Sequence, residues 1–136
     1  MKRYLILLIA FVAASWATVA QNESTATVGE EVFTVVEQDP EFPGGMDALV
    51  QFLGSNVRYP QDARDEGVEG RVFVTFVVER DGSVSNVRVV RDPDPKGRLG
   101  QEAVRVVKAM PKWKPGRQRG KKVRVQFNLP IQFQLN

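Results

Sequence analysis

The sequence contains no cysteine and no histidine among its 136 residues. The missing cysteine excludes disulfides, thiol nucleophiles and a lipid-modified cysteine anchor. Together the two absences remove Ser-His-Asp and Cys-His triads and zinc sites built on those side chains. A carboxylate-pair enzyme would need two Asp or Glu side chains on a recognisable site element, and no such pair stands out. The expectation is therefore a non-enzymatic protein with no cofactor and no metal. Internal repeats, low-complexity tracts and Pro-rich or Lys-Pro/Glu-Pro spacers are also lacking.

Long apolar runs are scarce, and the one present is N-terminal. Lys2 and Arg3 precede an unbroken apolar stretch from Tyr4 to Ala14, and Thr18-Val19-Ala20 places small residues where a signal peptidase reads them. This predicts a signal peptide over residues 1–20, a tether over 21–39 and a single folded domain over 40–136. The alternative is an uncleaved membrane anchor. Residues 4–20 would span about 25 Å as a helix against a hydrocarbon core of roughly 30 Å, which is slightly short. Both readings place everything after residue 20 outside the cytoplasm, released in one and membrane-anchored in the other.

Charge of one sign is missing locally. Without Lys2 and Arg3 the 19 basic residues become 17, nearly matching 16 acidic ones. Yet residues 23–66 carry only Arg58 and Arg64 against many acids, and residues 96–124 carry only Glu102 against many bases. A basic block often binds nucleic acid, but export argues against that partner. A solvated face that balances the acidic half, or a site for an acidic partner segment, remains.

The elements follow from pattern. Pro40-Glu41-Phe42-Pro43-Gly44-Gly45 is a turn cluster. Met46, Leu49, Val50 and Leu53 then fall at helical spacing, with Gly54 a candidate stop. Pro60 suits the first turn of a short helix over residues 61–66, closed by Gly67. Two Val-rich runs, from Arg71 to Arg80 and from Ser83 to Arg91, flank Asp81-Gly82, the signature of a two-residue type I′ hairpin. After the loop from Asp92 to Gly97, Leu99, Ala103, Val106, Val107 and Met110 share one helical face, and Pro111 ends it. Trp113 is expected in the core. Val123, Val125, Phe127, Leu129, Ile131, Phe133 and Leu135 alternate with polar residues, a long strand with one buried face.

The first strand is apolar on both faces (Val72, Val74, Phe76 and Val78 against Phe73 and Val77), so it belongs in the sheet centre. The second pairs with it through the hairpin, and the third arrives by a helical crossover. The predicted fold is α+β, a three-stranded antiparallel sheet in the order 2-1-3 with two main helices on one face. The third strand is then an edge, half apolar and long, which is either a docking site or a hazard guarded by Pro130, Arg124 and Lys121-Lys122.

Tyr59-Pro60, Ala63, Gly70-Arg71-Val72, Phe76-Val77-Val78, Asp81-Gly82-Ser83-Val84, Ala103, Trp113-Lys114-Pro115-Gly116 and Leu129-Pro130-Ile131-Gln132-Phe133 occur in an order that resembles the TonB C-terminal domain, over about residues 57–135. Pro40 to Gly45 with its helix resembles an N-terminal extension of one subgroup. The resemblance implies an adaptor that binds outer-membrane TonB-dependent receptors. Their short TonB box would add as a strand beside the last strand, and an inner-membrane proton-channel complex would supply the force for transport. It assigns the receptor-pairing edge to Val123, Arg124, Val125, Gln126, Phe127, Asn128 and Leu129, with Asn56, Val57 and Arg58 near the incoming peptide.

Two departures from the full-length pattern stand out. The apolar N-terminus lacks the histidine that couples TonB anchors to the proton-driven complex, and the 20 residues from Gln21 to Pro40 reach at most about 70 Å. The alternative reading is a soluble periplasmic interaction or signalling module that uses the same edge without transducing energy. Self-pairing into a homodimer through that edge belongs with it.

Overall fold

A computed structural model describes residues 30–136; the expected signal peptide and most of the expected tether lie outside the described residues. In chain order the elements are β1 (Val32–Phe33), α1 (Gly45–Asn56), α2 (Gln61–Asp65), β2 (Gly70–Val78), β3 (Val84–Arg91), α3 (Arg98–Lys108), β4 (Gly116–Gln118) and β5 (Lys121–Phe133).

The three strands read from pattern form the antiparallel core, with β2 between β3 and β5. The sheet is nevertheless not three-stranded. Its order is β1-β5-β2-β3, with β4 pairing to β5 off that path, and β1 runs parallel to β5. The expectation of a purely antiparallel sheet is corrected for a simple reason. β1 and β4 have two and three residues, too short to show a period of two in sequence. Val32 and Phe33 fall in the stretch expected to be a tether, and they pair with Arg124 and Val125.

The two-sided character of β2 has its expected consequence. Val72, Val74, Phe76 and Val78 are fully buried on one face, and Thr75 and Val77 are buried on the other. The first set joins Leu49 of α1, Leu99, Ala103 and Val107 of α3, and Leu129, Ile131 and Phe133 of β5 in one core cluster. Both main helices therefore cover the same face. Burying the larger of these apolar side chains stabilises the fold by roughly 1.5–3 kcal/mol each before the conformational entropy is subtracted. Trp113 is 3% exposed and packs edge-on against Phe42 and Phe76 and tilted against Phe127.

Three local expectations are revised. Helix α1 does not stop at Gly54 but continues to Asn56, whose side-chain amide donates to the Phe52 carbonyl and closes the last turn. Helix α3 ends at Lys108, before Met110. The β2–β3 connection is not a type I′ turn, because Asp81 does not take positive φ. Instead Gly82 N–H donates to Glu79 O (2.9 Å), Glu79 N–H donates to Ser83 O (2.8 Å), and Gly82 alone takes φ +88°. That is a type I turn followed by a glycine bulge. The two-residue turn with both φ positive occurs at Arg119 and Gly120, between β4 and β5.

The loop before α3 is organised by carboxylates. Asp94 is buried and accepts from the Lys96 and Arg98 backbone N–H groups and from the Arg98 guanidinium. Asp92 accepts from Gly100 N–H. Acidic groups at a helix start satisfy its orphan donors and favour its dipole. The Arg98 hydrogen bond holds the Asp94 carboxyl well below the usual carboxylate range, against the opposing effect of burial.

Candidate functional site

The site follows from how β5 is used along its length. On one side it pairs with β2 in regular register from Phe133 beside Gly70 to Val125 beside Val78. Pro130 stands beside Phe73 in that register. Proline cannot donate, so a position whose N–H faces away from β2 is the one that tolerates it. Antiparallel bonding alternates with a period of two. Gln126 and Asn128 therefore stand in the same relation to β2 as Pro130, and their backbone groups face the outer edge.

The outer edge is partly covered. β1, on the far side from β2, pairs with Arg124 and Val125, while β4 pairs with Val123, Lys122 and Lys121 nearer the turn, off the main strand order. Beyond Val125, no strand among the described residues lies beside β5 on that side. Of the seven β5 residues singled out from sequence, Val123, Arg124 and Val125 thus have a strand of this chain beside them. Gln126, Phe127, Asn128 and Leu129 line the open run.

Arg124 also holds the hairpin base. Its guanidinium donates to both oxygens of Glu79 at 2.7 and 3.1 Å, and Ser85 donates to Glu79 as well. The Arg124 hydrogen bond, with help from Ser85, keeps the Glu79 carboxyl ionised below its ordinary range.

Helix α1 borders the far end of β5. Val50, Leu53, Gly54 and Val57 form one wall of an open groove of about 530 Å³, and residues 130–134 form the other. A smaller hollow of about 270 Å³ lies between Met46, Leu49, Phe42, Trp113 and Phe127. Met46 and Val50 are 66% and 61% exposed, an apolar strip one helical turn apart that the core does not use. Helical spacing alone groups both with Leu49 and Leu53. A helix over a sheet edge buries a narrower stripe than a helix over a sheet centre, and these two fall outside it.

The three residues before Tyr59 separate. Val57 lines the groove beside β5. Asn56 and Arg58 are tied toward α3: the Asn56 carbonyl accepts from Arg105 at 2.8 Å, and Arg58 N–H donates to Glu102 at 2.7 Å. Tyr59 is packed edge-on against Phe133 with its hydroxyl donating to the Val68 carbonyl, and burial raises its pKa. Among the described residues no group of three or more His, Cys, Asp or Glu could hold a metal, and no helix is long and apolar enough to cross a membrane.

The chemistry on offer is a row of main-chain donors and acceptors on the outer edge of β5, with a groove beside its last residues, in an α+β domain. The family described as "Gram-negative bacterial TonB protein C-terminal" matches residues 55–135, more than half of the chain. The chain belongs to that family, which is transport-associated and non-enzymatic. Proteins named "Protein TonB" from two Helicobacter pylori strains are 44% identical over 39 residues, 29% of this chain. The match spans only 14% of those relatives' length. The solution structure of the Helicobacter pylori TonB C-terminal domain is similar over 69% of this chain and 87% of its own, at 26% identity and TM-score 0.49. That of the Pseudomonas aeruginosa TonB C-terminal domain is similar over 57% and 77%, at 27% identity and TM-score 0.47. Helix α1 lies almost wholly before the matched region.

Proposed function

We propose that the chain is a periplasmic TonB-like protein that binds outer-membrane TonB-dependent receptors by β-strand addition, in energy-coupled transport across the outer membrane. The observation that carries this reading is the open outer edge of β5 beyond Val125, flanked by the apolar groove under α1. A backbone edge gives affinity through main-chain hydrogen bonds, and a groove beside it selects alternate side chains of the added strand. Family membership supplies the class of partner.

The test is binding of synthetic TonB-box peptides, taken from receptors encoded in the same genome, to the wild-type chain and to Gln126→Pro. Proline at 126 removes an outward N–H while leaving the β2 ladder intact, as native Pro130 already does. The expected result is an unchanged melting temperature with at least tenfold weaker binding. Phe127→Pro, by contrast, breaks the pairing with Phe76 and destabilises the domain itself. A folded Gln126→Pro protein that binds these peptides as tightly as wild type would refute strand addition at this edge.

A further inference from the structure

From Lys112 to Arg124 the chain carries seven basic residues and no acidic one. Two of the seven are taken up inside the fold: Arg124 grips Glu79, and Lys112 stands 3.8 Å from Asp81. Arg117, Arg119, Lys121 and Lys122 make no ion pair among the described residues. All four belong to the β4–β5 hairpin, which sets Arg117 directly beside Lys122 and turns through Arg119 and Gly120. The Arg117 guanidinium donates to the Gly120 carbonyl at 3.0 Å. The Glu37 carboxylate is engaged by the Arg119 backbone N–H. Arg119, Lys121 and Lys122 are exposed, and Arg117 is half-buried. Like charges placed directly across a strand pair destabilise it. The hairpin therefore carries a charge that the fold itself does not use.

The same end of the domain is where the chain enters it. β1 runs parallel to β5 and begins at Val32, beside Arg124. The entry point is thus at the end of β5 that carries Lys121 and Lys122. If residues 4–20 act as an anchor, the 11 residues from Gln21 to Glu31 connect them to Val32. That connection reaches at most about 40 Å. A domain of about 100 residues has a radius of gyration of about 13 Å, so the hairpin tip lies within reach of the membrane surface. A tether this short also keeps the local concentration of tip at the surface high. The open run of β5 starts four residues beyond Lys122, about 14 Å along the strand. A domain resting on its tip would leave that run free.

We infer that the β4–β5 tip is a docking surface for anionic phospholipid headgroups, with Arg117, Arg119, Lys121 and Lys122 facing the lipid phosphates. From Gly116 to Lys122 there is no apolar side chain. The tip therefore lacks the apolar centre of a protein interface and suits a diffuse layer of negative charge. Attachment is electrostatic, with nothing inserted into the hydrocarbon. Each Lys or Arg held near an anionic surface strengthens binding about fivefold, and the effect fades beyond a Debye length. The inference is independent of receptor binding and concerns a different end of the domain.

The test is partitioning of the full chain onto phosphatidylcholine vesicles with and without about one-third phosphatidylglycerol, at low and high salt. The apolar N-terminal run contributes to both compositions, so the readout is the ratio between them. Wild type is compared with Lys121→Gln/Lys122→Gln and with the stronger Lys121→Glu/Lys122→Glu. Arg88→Gln/Arg91→Gln removes the same charge from exposed positions of β3 and is the control. Thermal melts verify folding of each. The expected wild-type ratio is at least about tenfold, lost at high salt. The glutamine tip variant lowers it at least about fivefold, the glutamate variant further, and the control by less than about twofold. The inference is overturned if the tip variants keep the wild-type ratio, or if the control loses as much as they do. It is also overturned if a polyglutamate peptide binds wild type and not the tip variants while their vesicle ratios stay equal, which assigns the tip to an acidic protein.

Discussion

Replacing Gly82 by alanine tests how the β2–β3 hairpin is locked to the rest of the fold. Gly82 sits at φ +88°, and its carbonyl accepts from Trp113 N–H at 2.8 Å. An added Cβ would lie 2.0 Å from the Trp113 carbonyl oxygen, with the Trp113 C and N at 3.1 and 3.2 Å. These are backbone atoms, so no side chain can swing aside. Relief requires the hairpin tip and the Trp113 segment to part by about 1 Å, at the expense of a hydrogen bond worth about 1 kcal/mol. The left-handed backbone adds about 1–2 kcal/mol for alanine. Loosening Trp113 from Phe42, Phe76 and Phe127 adds a further increment of about 1–2 kcal/mol. The sum is about 4 kcal/mol, a large part of the 5–15 kcal/mol typical of a domain. For a domain near 100 residues it corresponds to a Tm lower by roughly 15–30 °C. Gly120→Ala is the control: φ is +75°, but nothing lies within 4 Å of the added Cβ. Its cost is the conformational one alone, about 1–2 kcal/mol. Thermal unfolding followed by circular dichroism separates the two. If Gly82→Ala melts within about 3 °C of Gly120→Ala, the steric lock is refuted.

Asp94 and Glu66 are held below their ordinary pKa by hydrogen bonds from Arg98, Glu79 by Arg124 and Glu102 by Arg105. A depressed folded pKa contributes stability above the unfolded value, near pH 4, and that contribution is lost as pH falls through the folded value. Urea midpoints should therefore hold level above about pH 5 and fall below about pH 4, with a shallower fall in Arg98→Met; an equally steep fall in that variant would contradict the assignment. Trp113 is buried with its indole N–H lacking a partner, so Trp113→Phe should cost no more than about 2 kcal/mol while Trp113→Ala costs about 3–5 kcal/mol. Equal losses in urea unfolding would show that the indole ring supplies nothing a phenyl ring could. Val50→Asp places a charge on the exposed α1 strip beside the groove. It should leave the melting temperature within about 2 °C and weaken receptor-peptide binding at least threefold; unchanged affinity would remove α1 from the docking surface.

The sheet core was legible because its signals are local and periodic. Alternation over a 13-residue strand, the two-sided apolarity of β2 and the apolar face of α3 each encode burial directly in residue order. Asp81-Gly82 announced a hairpin. Its turn type was not legible, because Gly82 is positioned by a hydrogen bond from Trp113, 31 residues later. The carboxylate cradle before α3 read only as a loop, since Asp92 and Asp94 act through backbone groups whose positions exist only in the folded chain.

For the edge of β5, residue pattern alone placed a long half-apolar strand beside β2, away from β3, and showed that Pro130 interrupts its outer face. The resemblance to the TonB C-terminal domain named a use for that edge. Tertiary structure decided how much of it is open. A two-residue parallel strand from the N-terminal segment covers Arg124 and Val125. That pairing is too short to carry a periodicity and joins residues about 90 positions apart, so only the folded backbone reveals it. The open run begins at Gln126, and its far end, residues 130–134, borders a helix whose exposed strip no helical pattern could tell from its buried one.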